Sequence, residues 1–269
     1  MGKSIIACVK ELFLIALNPL ALVSIVGFLF VNSIAYSILE PLFEPLVVFY
    51  LTNTFLMDSI IVNFGLMFAS FPIEVTALII LFLFEVLSGV FIGFYFSFLF
   101  KHKNEGKKLM IGKALSETRG KLRVIVGAWF FMSLLLFFLL AFLDIMLSLI
   151  PDGIIAAIFL LIYMILALII LFSLALVFPI MAVEGMSLKK AIGNSYKLIS
   201  KNFFKSVAFI ILISIISTII SAIIVLIPMP VEDLELFGLI DLTLIFFALI
   251  INGSINWSLA PQLYYMLKK

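Results

Sequence analysis

VIVGAWFFMSLLLFFLLAFLDIMLSLI (residues 124–150), PDG (151–153) and IIAAIFLLIYMILALIILFSLALVFPI (154–180) read as one structural unit. Two apolar runs, with Asp144 the single charge inside them, flank a Pro-Asp-Gly turn signal. A helix rises about 1.5 Å per residue, so about 20 apolar residues cross a hydrocarbon core about 30 Å thick. Backbone groups in that core must find partners within their own segment, which makes each run a helix. Residues 124–180 therefore predict a transmembrane hairpin turned at the bilayer edge.

Runs of comparable length and apolarity lie on either side, at 19–39, 75–100, 206–228 and 241–266. The last two form another hairpin, turned through Pro228-Met229-Pro230 and the acids Glu232, Asp233 and Glu235. Of the 269 residues, 65% are hydrophobic and 12% charged, with a mean hydropathy of +1.37. Soluble domains are closer to half apolar and about a quarter charged. The surplus has to face lipid, and the fold class expected is all-α, a polytopic membrane bundle of about six transmembrane helices.

Charge placement orients the bundle. Lys3 and Lys10 precede the first span. Lys101, Lys103, Lys107, Lys108, Lys113, Arg119, Lys121 and Arg123 separate the second from the third. Lys189, Lys190, Lys197, Lys201 and Lys205 separate the fourth from the fifth, and Lys268 and Lys269 follow the sixth. These are all 17 basic residues of the chain, and they fall on one side. The other side holds Glu40, Glu44, Asp58, Glu74, Asp152, Glu232, Asp233 and Glu235. By the positive-inside rule both termini are expected in the cytoplasm of a multi-pass cell-membrane protein. The first span is not expected to be a cleavable signal, since the apolar residues near Cys8 are too few and too close to Met1 to form a signal core, and Ile6 stands where myristoylation prefers serine or threonine.

Each hairpin is preceded by a basic amphipathic segment. In 187–203, Leu188, Ala191, Ile192, Ser195 and Ile199 fall at helical spacing against Lys189, Lys190, Lys197 and Lys201, with Ser187 placed to cap through its hydroxyl. In 111–123, Ile111, Ala114, Leu115, Thr118 and Leu122 repeat the pattern against Lys113, Glu117, Arg119 and Lys121. Such helices lie in the headgroup plane. The stretch from Ser4 to Leu17, ending at Asn18-Pro19, reads as a third copy. Lys113-Ala114 and Leu149-Ile150-Pro151 recur in register as Lys190-Ala191 and Leu226-Ile227-Pro228. The expectation is one membrane domain of three parallel units, about 1–108, 109–186 and 187–269, each an interfacial helix followed by a hairpin. Residues 40–74, with Pro41, Pro45 and Pro72, are expected to form an outer loop with one or two short helices.

Polar residues inside the spans are few. Glu85 lies near the middle of the second span, where a carboxylate costs at least roughly 2.5–3.5 kcal/mol. It is expected to face the bundle interior and to bond Asn252 or Asn256 of the sixth span. Gly89 and Gly93 on the same face allow another helix to approach closely. Ser214, Ser217, Thr218 and Ser221 make one small polar face on the fifth span, for close packing or for a hydrated cavity, and Asn32 is expected to share the interior. Pro179 and Pro261 are expected to break or kink their helices at the inner membrane edge.

Chemistry-bearing motifs are scarce. Cys8 is the one cysteine, which excludes an internal disulfide and a thiolate cluster, and His102 is the one histidine, expected to be solvated in a lysine-rich loop. There is no HExxH, GxSxG or Walker pattern. No catalytic residue, metal ligand or cofactor site is expected, and no nucleic acid.

The segment from Phe178 through Pro179, Glu184-Gly185, Ala191-Ile192, Ser195, Leu198 and Asn202-Phe203 resembles a pattern found in a broad group of six-helix prokaryotic membrane proteins. In that pattern a proline ends a span, an acid-glycine turn follows, and then "AL-x-x-S-x-x-L-x-x-x-N-F". The group includes the membrane domain attached to some glycerophosphodiester phosphodiesterases and several archaeal families. The resemblance implies the six-span layout and no intrinsic chemistry, since the phosphodiesterase reaction belongs to a separate soluble domain, which this chain is expected to lack. Physically, Glu184 is expected near a helix N-terminus and Ser195 at a close packing position.

The function expected is therefore that of a non-enzymatic membrane scaffold or partner-binding protein. Lys113, Arg119, Lys121, Lys189, Lys190, Lys197 and Lys201 would contact anionic lipid headgroups, and a protein partner is possible on the same face. The alternative is a transporter or channel for a small solute or ion, using Glu85, Asn252, Asn256 and Ser217.

Overall fold

A computed structural model describes residues 4–52, 70–149, 154–225 and 234–268, some of them by their backbone alone. Every regular element among them is a helix. In chain order these are α1 (Ile5–Ala16), α2 (Pro19–Thr52), α3 (Pro72–Asn104), α4 (Ile111–Arg119) and α5 (Leu122–Leu149), followed by α6 (Ile154–Leu174), α7 (Val177–Glu184), α8 (Leu188–Lys201), α9 (Phe203–Val225) and α10 (Leu234–Lys268). Six stretches are long and apolar enough to cross a membrane: Pro19–Leu42, Pro72–Asn104, Leu122–Leu143, Ile158–Glu184, Phe203–Ile224 and Leu244–Lys268. The chain is an all-α, multi-pass integral membrane protein. The turns expected at 151–153 and 228–230, and residues 53–69 of the outer loop, lie outside the described residues.

Local chemistry sets most helix ends. The Ser4 hydroxyl accepts the Ala7 N–H at 3.2 Å and starts α1. The Asn18 side-chain oxygen accepts the Leu20 N–H at 3.0 Å, with Pro19 at the first helical position of α2, where a missing N–H costs nothing. Beyond α3 the chain turns at Gly106, whose φ of 71° suits glycine, and the Lys107 N–H returns to the His102 carbonyl at 2.9 Å. Gly185, at φ 68°, ends α7 in the same way by donating to the Met181 carbonyl at 3.1 Å. Ser187 occupies the N-cap of α8 through its extended backbone, but its hydroxyl makes no capping bond.

The prolines differ in what they do to their helices, and Pro179 breaks its helix as expected. α2 does not stop near residue 39: it runs through Pro41 and Pro45 to Thr52. Each proline removes one backbone bond, to the carbonyls of Ser37 and Pro41, both exposed near the expected membrane edge where water can satisfy them. Pro179 acts on the preceding turn. It cannot donate to the Ala175 carbonyl, and the helix breaks at Ala175–Leu176, between α6 and α7. Pro261 neither ends nor interrupts α10, which continues to Lys268.

The described chain forms two compact units. The first comprises Met1–Leu29, Phe91–Leu122 and Ser173–Lys269. Within it α10 packs against α9 and α1, and α7 against α8. Its centre is aromatic: Phe94, Phe96, Phe100, Phe209 and Tyr264 are fully buried. Phe94 meets Phe178 at 5.9 Å between ring centroids, and Phe28 meets Trp257 edge-on at 6.1 Å. Gly93 permits this packing, because a Cβ there would stand 3.1 Å from the Phe178 ring.

The second unit comprises Phe30–Val90 and Arg123–Phe172. The Trp129 indole donates to the Leu83 carbonyl at 2.8 Å, and the Tyr163 hydroxyl donates to the Leu139 carbonyl. Tyr163 also stacks on Phe142 at 6.0 Å. Outward faces here are apolar: Phe138 is 64% and Leu168 65% exposed. In a membrane chain these surfaces meet acyl tails, so no buried soluble core is needed to account for them.

Candidate functional site

The two basic helices show the division of faces that their spacing predicts. In α8, Ala191, Ser195 and Ile199 are buried one turn apart, while Lys189, Lys190, Lys197 and Lys201 are all exposed. In α4, Ala114 and Thr118 are buried, while Lys113 and Arg119 are exposed; Lys121, in the turn that follows, is half-buried. Three aromatic side chains missed in the sequence are exposed close along the chain to the α8 lysines, Tyr196 within α8 and Phe203 and Phe204 at the start of α9. Tyr196 is 61% exposed, Phe204 86%, and Phe203 is exposed beside it. Aromatics interleaved with lysines near a span end were the available signal, since such rings settle at headgroup level.

Ser195 does more than allow close packing. Its hydroxyl accepts the Leu176 N–H at 3.2 Å and donates to the Ser173 carbonyl at 2.6 Å. One side chain of α8 thus satisfies two backbone groups freed by the break between α6 and α7. Local sequence could not show this, because the partners lie about twenty residues upstream.

Glu184 is at the C-terminal end of α7, not at the start of a helix as expected. Its carboxylate accepts from Lys268 at 2.7 Å and from the Tyr264 hydroxyl at 2.5 Å, and Lys268 also reaches that hydroxyl at 2.7 Å. The ion pair offsets the unfavourable sign of a carboxylate at a helix C-terminus. Gln262, buried, donates to the Cys8 carbonyl at 3.0 Å and to Glu11 at 3.2 Å, which ties α10 to α1.

His102 is likewise not the solvated loop residue expected. α3 extends past the apolar run to Asn104, which places His102 in its last turn; the side chain is 1% exposed and its Nε2 lies 2.9 Å from a Glu117 oxygen of α4. Nearby, the exposed Lys107 ammonium bonds Glu105 and holds that carboxyl below its usual range.

The intramembrane polar residues sort into separate groups. Ser217, buried in α9, donates to the Asn252 side-chain oxygen of α10, and the exposed Asn256 approaches the same oxygen at 3.5 Å. Ser214 and Thr218 are exposed, so the small polar face of α9 is not covered along its whole length. In the second unit, Ser88 donates to Asn32 at 3.1 Å and to the Glu85 carbonyl at 3.0 Å. The Glu85 side chain is exposed where an interior position was expected.

Compared with protein-family models, with curated proteins and with solved structures, the chain matches none of them.

Proposed function

We propose that the chain is a non-enzymatic protein of the cell membrane that supports a partner or a process there, with both termini cytoplasmic and its basic helices seated on anionic headgroups. It would take its place among the six-helix prokaryotic proteins that its 178–204 segment resembles. The observation that carries the reading is α8, whose Ala191, Ser195 and Ile199 are buried while its four lysines are exposed, close along the chain to the exposed Tyr196, Phe203 and Phe204. Each lysine near an anionic surface contributes on the order of 1 kcal/mol.

The transporter alternative draws on Glu85, Asn252, Asn256 and Ser217 as a hydrated path. Burial of Ser217 and its bond to Asn252 favour a packing role for that pair.

Lipid retention tests the proposal. The protein, extracted in mild detergent, is expected to carry anionic phospholipid enriched over the bulk membrane. The fourfold variant Lys189→Gln, Lys190→Gln, Lys197→Gln and Lys201→Gln is expected to lose that enrichment while remaining folded. Equal lipid profiles for the two proteins would overturn the reading.

A further inference from the structure

A cleft of about 330 Å³ opens within the first unit, lined by Phe98 and Lys101 of α3, Glu117, Gly120 and Lys121 at the end of α4, and residues 182–185 at the end of α7. Its charges are two lysines and two glutamates. They do not simply neutralise one another. Glu117 is engaged by His102, and Glu184 by Lys268 and Tyr264, each through one carboxylate oxygen. Lys101 lies over the Phe98 ring at 5.7 Å, and neither it nor Lys121 pairs with a carboxylate among the described residues. Both lysines are half-buried, so they are partly withdrawn from water.

The backbone adds a second polarity. The last turns of α3, α4 and α7 lie beside this cleft, and each helix C-terminus carries roughly half a negative charge. A purely anionic ligand would be drawn to the lysines but repelled by three helix ends and two carboxylates. A purely cationic one would meet the lysines. A molecule with a phosphoryl group and a primary amine matches both sets at once, the phosphoryl on Lys101 and Lys121, the ammonium on the second carboxylate oxygens of Glu117 and Glu184, which make no bond among the described residues.

We infer that this cleft is a binding site for a zwitterionic aminophosphate, the chemistry shared by an ethanolamine lipid headgroup and free O-phosphoethanolamine. The inference rests on the proposed reading only in placing the cleft at the headgroup level, and it names a site apart from the α8 lysines.

The test uses nanodiscs of equal parts phosphatidylethanolamine and phosphatidylcholine, with retained lipid read by native mass spectrometry. Retention of the ethanolamine lipid is expected over the choline lipid, whose trimethylated nitrogen cannot donate hydrogen bonds. Lys101→Gln and Lys121→Gln are each expected to weaken it about fivefold, the equivalent of about 1 kcal/mol per lysine, with an unchanged melting temperature as the control on folding. Soluble O-phosphoethanolamine is titrated in parallel: binding without lipid selectivity assigns the site to a free ligand, and lipid selectivity without such binding assigns it to a headgroup. Equal retention of the two lipids together with no soluble binding overturns the site, as does binding unaffected by either lysine variant. The α8 fourfold variant, run alongside, reports separately on the anionic-lipid reading, so the two can fail independently.

Discussion

Single residues carry the joints of this molecule. Ser195 satisfies two backbone groups at the break that Pro179 imposes, one of them the N–H of the fully buried Leu176. Ser195→Ala strands both, and an unsatisfied buried group costs about 1–3 kcal/mol. Unfolding in detergent is expected to show a destabilisation in that range, whereas Ser187→Ala, which removes no capping bond, is expected to leave stability unchanged. For Ser217 and Asn252, a double-mutant cycle with alanine is expected to return a coupling of about 0.6–1.7 kcal/mol, the scale found for hydrogen bonds between membrane helices. A coupling near zero would mean that the bond does not join α9 to α10 in the membrane. The Glu85→Gln change bears on the alternative function. Wild-type protein in liposomes is expected to give no flux above empty vesicles under a pH or cation gradient, and gradient-driven flux that vanishes in the variant would favour transport.

At the scale of elements, amphipathic spacing located α4 and α8 to within a few residues, because a charged side chain on a short helix has only one favourable side to face. Helix breaks were less legible. Pro179, Pro261, Pro41 and Pro45 are the same residue type with different outcomes: α2 and α10 run through theirs, whereas the helix breaks one turn before Pro179. His102 and Glu184 were misplaced for a related reason: their partners, Glu117 and Lys268, come from other helices, and pairing across helices leaves no periodic trace. The close approach at Gly93 was visible as a small residue in a span, although its partners were not. Gly93→Leu is expected to force Phe178 out of place and destabilise the first unit by about 1–3 kcal/mol, the usual cost of overpacking. A leucine tolerated without change in melting temperature would show that α3 and α7 do not pack as described.

For the molecule as a whole, hydropathy and length were enough to recognise six spans, since a bilayer leaves a long apolar segment no option but a helix. Grouping of the helices was not legible. Side chains in lipid gain little from one helix partner over another, so the apolar pattern does not say which helices meet. The proposed role depends on one global property, that the lysine-bearing helices face the cytoplasm. Cysteine labelling measures it directly, with Cys8→Ser as the background, because Cys8 is the one native thiol. In intact cells, a membrane-impermeant maleimide is expected to label Asp152→Cys but not Lys189→Cys, which becomes reactive only after the membrane is opened. Labelling of Lys189→Cys in intact cells, with Asp152→Cys protected, would invert the topology and contradict the account.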